Sequence, residues 1–384
     1  HNKEQQVTIK KTASIFTASA LALAVAGAAQ AVELEVGETT LNLYGYAKLD
    51  MIYDVDAKLG NAVGRQNIRL DGEEGSDGHF DAHAWQSRLG FITSTPVGGS
   101  TLRTMLEGDF YGANNNFRLR HAYGEWNGIL AGQTSTNFGG FLGMTPTIDF
   151  NGQPGQANVG RQAQLRYTVD GFSVALEDSG SLGGNLGGQL PDTDDELKNS
   201  LPDLTLRYQG SAGDFNYAAS GLLRRIEYYS AANDSDEGTT GWGLNLEASA
   251  KVAESVTLRG SITHGDGIGG YQYITPGPAG YVDSNGDVQS IKGTGGTAGV
   301  SIAAGPGNVN LAYGIATVDI DDAVADGALG ASSNDKYEGY FLNYIWSPVR
   351  NVTYGVEVGY HTRGVQDGRD GDAVRIQGMV QYNF

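Results

Sequence analysis

Apolar and polar residues alternate one by one along much of the chain. Near the carboxyl end Val374, Ile376, Gly378, Val380, Tyr382 and Phe384 fall on one face, with Arg375, Gln377, Met379, Gln381 and Asn383 on the other. A period of two is that of a β-strand with a single apolar face. The segment before it repeats the pattern, Val352, Tyr354, Val356, Val358 and Tyr360 against Thr353, Gly355, Glu357, Gly359 and His361. In 256–263, Val256, Leu258, Gly260 and Ile262 oppose Thr257, Arg259, Ser261 and Thr263. In 41–51, Leu41, Leu43, Ala47, Leu49 and Met51 oppose Asn42, Tyr44, Lys48 and Asp50. No segment carries a convincing amphipathic helical period.

The connections alternate as well. Short polar turns fall at 96–100, 127–128, 169–171, 210–214, 251–255, 305–308 and 347–351. Longer connections lie between them, at 55–80, 112–116, 137–160, 180–200, 227–240, 265–293, 319–334 and 363–372. Turns on one rim and loops on the other are the plan of an outer-membrane barrel. About sixteen strands enclose a lumen too wide for side chains to fill, so the apolar face must point outward, into lipid. The expected fold is therefore all-β: a transmembrane antiparallel β-barrel of about sixteen strands spanning residues 41–384. The connection 137–160 is apolar and nearly uncharged, which makes it a poor solvent loop. It follows the fifth strand, where trimeric porins fold a loop inward. It is read as an inward-folded constriction loop, with a cap over a neighbouring subunit as the alternative.

The first 31 residues read as an address. Lys10 and Lys11 precede an apolar stretch from Ile15 to Ala28, which ends at Ala29-Gln30-Ala31, the small-residue pattern of a secretory cleavage site. Residues 1–31 are expected to be a signal peptide, with residues 1–6 upstream of the true start. Val32 would open the mature chain, and residues 32–40 would form a short periplasmic segment.

Composition narrows the picture. Gly, at 58 of 384 residues, is about twice its usual ~7% share. Cysteine is absent, which suits an oxidising compartment and removes cysteine–zinc sites and cysteine nucleophiles. The formal charge of -19 argues against nucleic acid as a partner. Without residues 1–31 the chain keeps 22 basic and 43 acidic residues, a net of -21. Most of that acidity sits in the long connections, in runs such as Asp192 to Glu196 and Asp319 to Asp322. Such runs are solvated loops, or they bridge divalent cations to lipopolysaccharide phosphates in the surrounding outer-membrane lipid.

The strands carry the opposite charge. Arg88, Arg103, Arg118, Arg120, Arg166, Arg207, Arg259 and Arg375 each lie on the polar face of a strand. A charge on the lipid face costs about 2–4 kcal/mol at the midplane, so these side chains belong to the lumen. Guanidinium groups stay charged and hold carboxylates bidentately, so a ladder of them favours small anionic solutes. Glu107, Asp109 and Glu357 face the same lumen, and the alternative is that the arginines only brace the wall through these acids. Asp149, the lone acid of 137–150, is placed opposite Arg118, Arg120, Arg161 and Arg166 across the constriction.

Particular phrases resemble a known family, the trimeric DcaP-type porins. They are Phe117-Arg-Leu-Arg-His-Ala-Tyr-Gly-Glu-Trp126, Leu130-Ala-Gly-Gln-Thr134, Asn137-Phe138, Arg161-Gln-Ala-Gln-Leu-Arg-Tyr167 and Gln86-Ser-Arg-Leu-Gly-Phe91. The likeness is strongest over 82–177. It implies a sixteen-stranded homotrimer in the outer membrane of a Gram-negative bacterium, taking up small anions and especially dicarboxylates, without catalysis. It also implies that Arg88, Arg103, Arg118, Arg120, Arg161 and Arg166 are lumen or constriction residues. DcaP-type chains can carry an N-terminal coiled coil, whereas only Val32 to Thr40 precede the first strand here.

Weaker constellations resolve to simpler readings. His79, Asp81 and His83 alternate at a strand start without a further metal ligand. Asp283-Ser-Asn-Gly-Asp287 departs from a calcium loop at Val288 and Thr294 and reads as a turn. The glycines of 180–188 open no helix and so bind no phosphate. No cofactor or metal site is expected. His121 is placed outward with Leu119 and Tyr123, at a subunit interface. Two other functions remain open. A hydrolase would need an oriented Ser–His pair. A sugar-selective porin would need an aromatic track, towards which Tyr44, Tyr46 and Phe341 point.

Overall fold

The computed structural model describes residues 32–182 and 186–384. The expected signal peptide therefore lies outside the described residues, as do residues 183–185 of the glycine run. Sixteen antiparallel strands close into a barrel: β1 (Thr39–Asp54), β2 (His79–His83, resumed at Arg88–Val97), β3 (Ser100–Asp109), β4 (Arg118–Trp126), β5 (Ile129–Ser135), β6 (Arg161–Val169), β7 (Phe172–Glu177), β8 (Asp203–Ala212), β9 (Phe215–Ser230), β10 (Ser235–Ala253), β11 (Val256–Asp266), β12 (Lys292–Ala304), β13 (Gly307–Asp319), β14 (Asn334–Val349), β15 (Val352–Val365) and β16 (Asp370–Asn383). Each pairs with the next, and β1 closes on β16 from Tyr46 opposite Asn383 to Asp54 opposite Arg375.

The two faces sort as the period of two requires. Leu244, Leu246, Ile262, Val356, Val358 and Ile376 are exposed on the outer wall, while Asn245, Glu247, Thr263, Glu357, Arg375 and Gln377 are buried on the inner one. Aromatic rings mark both edges of the lipid-facing band. Tyr344, Trp346 and Tyr354 cluster beside the β14–β15 turn, and Tyr313, Tyr340 and Tyr360 cluster nearer the long loops. Rings with an apolar body and a polar tip favour these interfaces.

Several boundaries differ from the sequence reading. The connections expected at 227–240 and 363–372 are tight turns at the tips of long hairpins, because β9, β10, β15 and β16 extend beyond the apolar band. The segment 32–40 is not a plain lead-in. Val32–Val36 pairs antiparallel with Thr39 to Leu43, occupying the edge of β1 below the end of β16. The connection expected at 55–80 among the acidic outer loops runs from 55 to 78, and its first half folds into the barrel. Leu59, Val63 and Ile68 are buried there against Ala373, and Arg65 is buried as well. The connection 267–291 meets the constriction loop as well, pairing Ala157 with Gln272. A three-stranded sheet of Leu186–Gly187, Gly280–Val282 and Val288–Ser290 covers part of the outer mouth, packing its Val282 and Val288 against Ile226 and Tyr228 of β9.

Candidate pore and constriction

The connection 136–160 lies inside the barrel, and wall carboxylates hold it by its backbone. Glu177 of β7 accepts the Asn137 amide at 2.6 Å and the Thr136 hydroxyl at 2.6 Å. Glu247 of β10 accepts the Leu142 amide at 3.2 Å. Glu357 of β15 accepts the amides of Ile148 and Asp149 at 2.8 and 2.9 Å. Thr297 of β12 and Asn343 of β14 donate to the carbonyls of Gly143 and Pro146. A buried loop must satisfy its main-chain groups, and charged acceptors do so most strongly. The wall beneath is cut back to glycine where the loop lies closest. A Cβ on Gly314 would stand 2.5 Å from the Pro154 carbonyl oxygen, and one on Gly355 would stand 2.6 Å from Ile148. Part of the high glycine content is thus the groove in which the loop lies.

These anchors come from β7 to β15, so the loop lines that side of the lumen. The opposite wall, β2 to β6, carries the arginines. Asp109 accepts Nε of Arg118 at 2.7 Å and Nη1 of Arg120 at 2.8 Å. Glu107 accepts Nε of Arg120 at 2.8 Å, lies 3.4 Å from Arg88 and accepts the Tyr44 hydroxyl at 2.9 Å. Arg161 forms no ion pair among the described residues and lies in the field of Arg120, Arg118, Asp109 and Arg88. Lower down, Arg103 donates to the Tyr123 hydroxyl, and Arg166 donates to Gln164 and the Ser135 carbonyl. Below His83 this wall sets six guanidinium groups, Arg88, Arg103, Arg118, Arg120, Arg161 and Arg166, against Glu107, Asp109 and Glu125. The loop comes nearest to it at Phe150, which stacks on Tyr111 at 4.4 Å, with Arg118 5.6 Å from the Phe150 ring centre.

The remaining arginines behave differently. Arg207 pairs with Glu247 at 3.0 Å, and Arg259 donates to the Ser301 hydroxyl at 2.7 Å. Arg375 is buried and bridges Asp54 at 2.7 Å and Asp149 at 3.2 Å. Asp149 is therefore not the acid facing Arg118, Arg120, Arg161 and Arg166. Glu357 pulls its backbone to the far wall, where it also accepts the Val63 amide of the inserted 55–78 connection at 3.0 Å. Sequence reasoning missed Arg65 of that connection. Its guanidinium is fully buried, donates to the carbonyls of Glu338 and Gly152, and lies 3.3 Å from His361 Nδ1. Burial pulls its pKa down to about 10. Its place among the apolar positions Leu59, Val63 and Ile68, ahead of the acids at 71–77, was the only signal.

His121 and Tyr123 face the lumen. Glu107 pairs with His121, yet Gly108 pairs with Leu119, so Arg120 is an extra residue in β4. A bulge puts two residues opposite one and shifts the alternation beyond it. Arg120 and His121 consequently both point inward, and His121 Nδ1 lies 2.9 Å from the Thr134 hydroxyl.

A family model described as "DcaP outer membrane protein" matches residues 18–291. The chain belongs to the DcaP outer membrane protein family. Among solved structures, the outer membrane channel DcaP of Acinetobacter baumannii is 26% identical, with 94% of this chain and 100% of that chain covered at a TM-score of 0.78. The anion-selective porin from Comamonas acidovorans (15% identical, 90% and 100% covered, TM-score 0.57) and OmpT of Vibrio cholerae (12%, 92% and 100%, 0.56) share the fold. No curated protein matches the chain. This DcaP-family chain is a porin of the Gram-negative outer membrane, so the rim of long loops is extracellular and the rim of short turns periplasmic.

Proposed function

We propose that this DcaP-family porin passes small anions, carboxylates and dicarboxylates among them, between the inserted loop and the β2–β6 wall. The observation that carries the reading is the imbalance on that wall, where six guanidinium groups outnumber three carboxylates. On the far wall Glu247 pairs with Arg207, Asp54 and Asp149 share Arg375, and Glu177 and Glu357 are turned towards loop amides. A fixed charge in a narrow passage with low-dielectric walls is focused and weakly screened, whereas the acidic outer loops stand in solvent. Carboxylates would be attracted at the constriction yet held by exchangeable contacts, as conduction requires.

Supporting features complete the proposal. The functional unit is a homotrimer resting on outer-wall residues of the first and last strands, such as Ala47, Leu49, Gly378 and Val380. The chain is exported by cleavage after Ala31, and its outer loops meet lipopolysaccharide. A hydrolase reading is disfavoured, since Thr134 beside His121 is buried and Glu107 is taken up by Arg88, Arg120 and Tyr44. Planar-bilayer recording in a KCl gradient tests the proposal. The expected reversal potential has the anion-selective sign, and replacing Arg118, Arg120 and Arg166 by Gln weakens or inverts it. A cation-selective wild type would overturn it. Native mass in mild detergent is expected near three times the mature chain.

A further inference from the structure

Fixed charge is unevenly distributed along the barrel axis. On the extracellular side an open surface cavity of about 840 Å³, bordered by Asp372 on the outward face of β16, is lined also by Asp56, Asp71, Glu73, Glu74 and Asp77, with Arg69 as the cation among its lining residues. The outer hairpins and loops add further acids, including exposed Asp192, Asp194 and Glu196. At the other end Arg103, Arg166 and Arg259 each sit three residues from the periplasmic end of their strand and point inward. None of them forms an ion pair among the described residues; their partners are Tyr123, Gln164, a backbone carbonyl and Ser301. Between the two ends lies the cluster of Arg88, Arg118, Arg120 and Arg161 around Glu107 and Asp109. The periplasmic turns add Asp170, Asp214 and Glu254 against Lys251 and Arg350, and Glu33, Glu35 and Glu38 lie on the N-terminal hairpin outside the wall.

A passage with an acidic outer mouth and, along its β2–β6 wall, an excess of guanidinium groups over Glu107, Asp109 and Glu125 has two zones of opposite preference in series. Cations concentrate in the outer zone and anions in the inner one. When the extracellular side is positive, each ion enters through the zone that favours it and is slowed by the other, so both accumulate and conductance rises. At the opposite polarity each ion must enter through the zone that rejects it, and the passage is depleted. The range of this effect is the Debye length, about 10 Å at 0.1 M salt and about 3 Å at 1 M.

We infer that the porin rectifies: at low salt it conducts more current when the extracellular side is positive. This deepens the anion-channel reading and rests on it. Anions driven from the periplasmic side towards the outside belong to the high-conductance polarity, so at the reverse polarity, which drives anions inward, the channel passes less current than a symmetric pore would.

The test records the full-length protein in planar bilayers with symmetric KCl. The chain has no cysteine, so a bulky thiol reagent on Ser332→Cys, at an exposed extracellular position, defines the orientation of each insertion. In 0.1 M KCl the conductance ratio between polarities is expected to exceed roughly 1.5, and in 1 M KCl to approach one as screening shortens. Gln at Arg103, Arg166 and Arg259 should lower the 0.1 M ratio. Asn at Asp192 and Asp194, with Gln at Glu196, should lower it from the other end, in exposed positions that place little demand on folding. An ohmic wild type at 0.1 M, or rectification of the opposite sign, in a channel that is still anion-selective by reversal potential overturns the inference alone. Loss of anion selectivity itself would instead overturn the reading beneath it.

Discussion

Replacing Glu357 by Gln isolates the anchor of the constriction loop. The native carboxylate accepts three hydrogen bonds: from the Ile148 amide at 2.8 Å, the Asp149 amide at 2.9 Å and the Asn343 side chain at 2.9 Å. Ile148 and Asn343 share Oε2, and Asp149 uses Oε1. The Gln oxygen can keep the shared pair, but its amide nitrogen then faces the Asp149 N–H, donor to donor. A buried donor left unpaired costs about 1–3 kcal/mol, and the two surviving bonds weaken as their acceptor loses its charge. The total is about 2–4 kcal/mol of local stability, or roughly a 30- to 700-fold rise in the open population at 1.4 kcal/mol per decade. Hydrogen exchange reads this directly. Amides 148 and 149 should lose protection by that factor, while amides 137 and 142, held by Glu177 and Glu247, should change little. Single-channel traces should show added brief closures as the freed segment swings towards Arg118. Unchanged exchange at 148 and 149 in a folded E357Q protein would refute the anchoring argument.

Three further outcomes are expected. Gly314→Ala should lower both conductance and thermal midpoint, because its Cβ meets the Pro154 backbone and lifts the loop; a wild-type current–voltage curve would count against the close fit. Arg375→Met should destabilise the folded barrel by about 3–5 kcal/mol, since it strands Asp54 and Asp149 together, and adding Asp54→Asn should recover part of the loss in a detergent-melting assay. Arg65 has a folded pKa near 10, depressed by burial, so it stays charged across neutral pH. The cost of burying that charge is present below this value and fades as pH rises through it, so replacement of Arg65 by Met should change melting temperature by a constant amount between pH 6 and 8.

The barrel wall was legible because its rule is local. Val356 and Glu357, or Ile376 and Arg375, take opposite faces by position alone, and sixteen such segments with sorted connections leave one architecture. The inward direction of the arginines followed from the cost of charge in lipid. What escaped was what the local rule does not encode. No glycine or proline marks the bulge at Arg120, so His121 and Tyr123 were assigned to the wrong face. Asp149 lies nearer in sequence to Arg118, Arg120, Arg161 and Arg166, whereas its partner Arg375 is 226 residues away and is reached only because the loop folds into the barrel. Acids at 71–77 masked the apolar positions Leu59, Val63 and Ile68, so the insertion of that connection went unseen.

Anchoring through backbone amides separates how the constriction loop is held from what it displays. Glu177, Glu247 and Glu357 grip main-chain N–H groups that every residue except proline possesses. Side chains that take no part in these bonds, exposed Phe141 among them, can therefore be exchanged without unfastening the loop. Variants of this chain can differ in the solutes they admit while keeping the same carboxylates and the same glycine groove. A library randomised at those positions, with the anchors fixed, should stay folded through most of its members and vary chiefly in permeability.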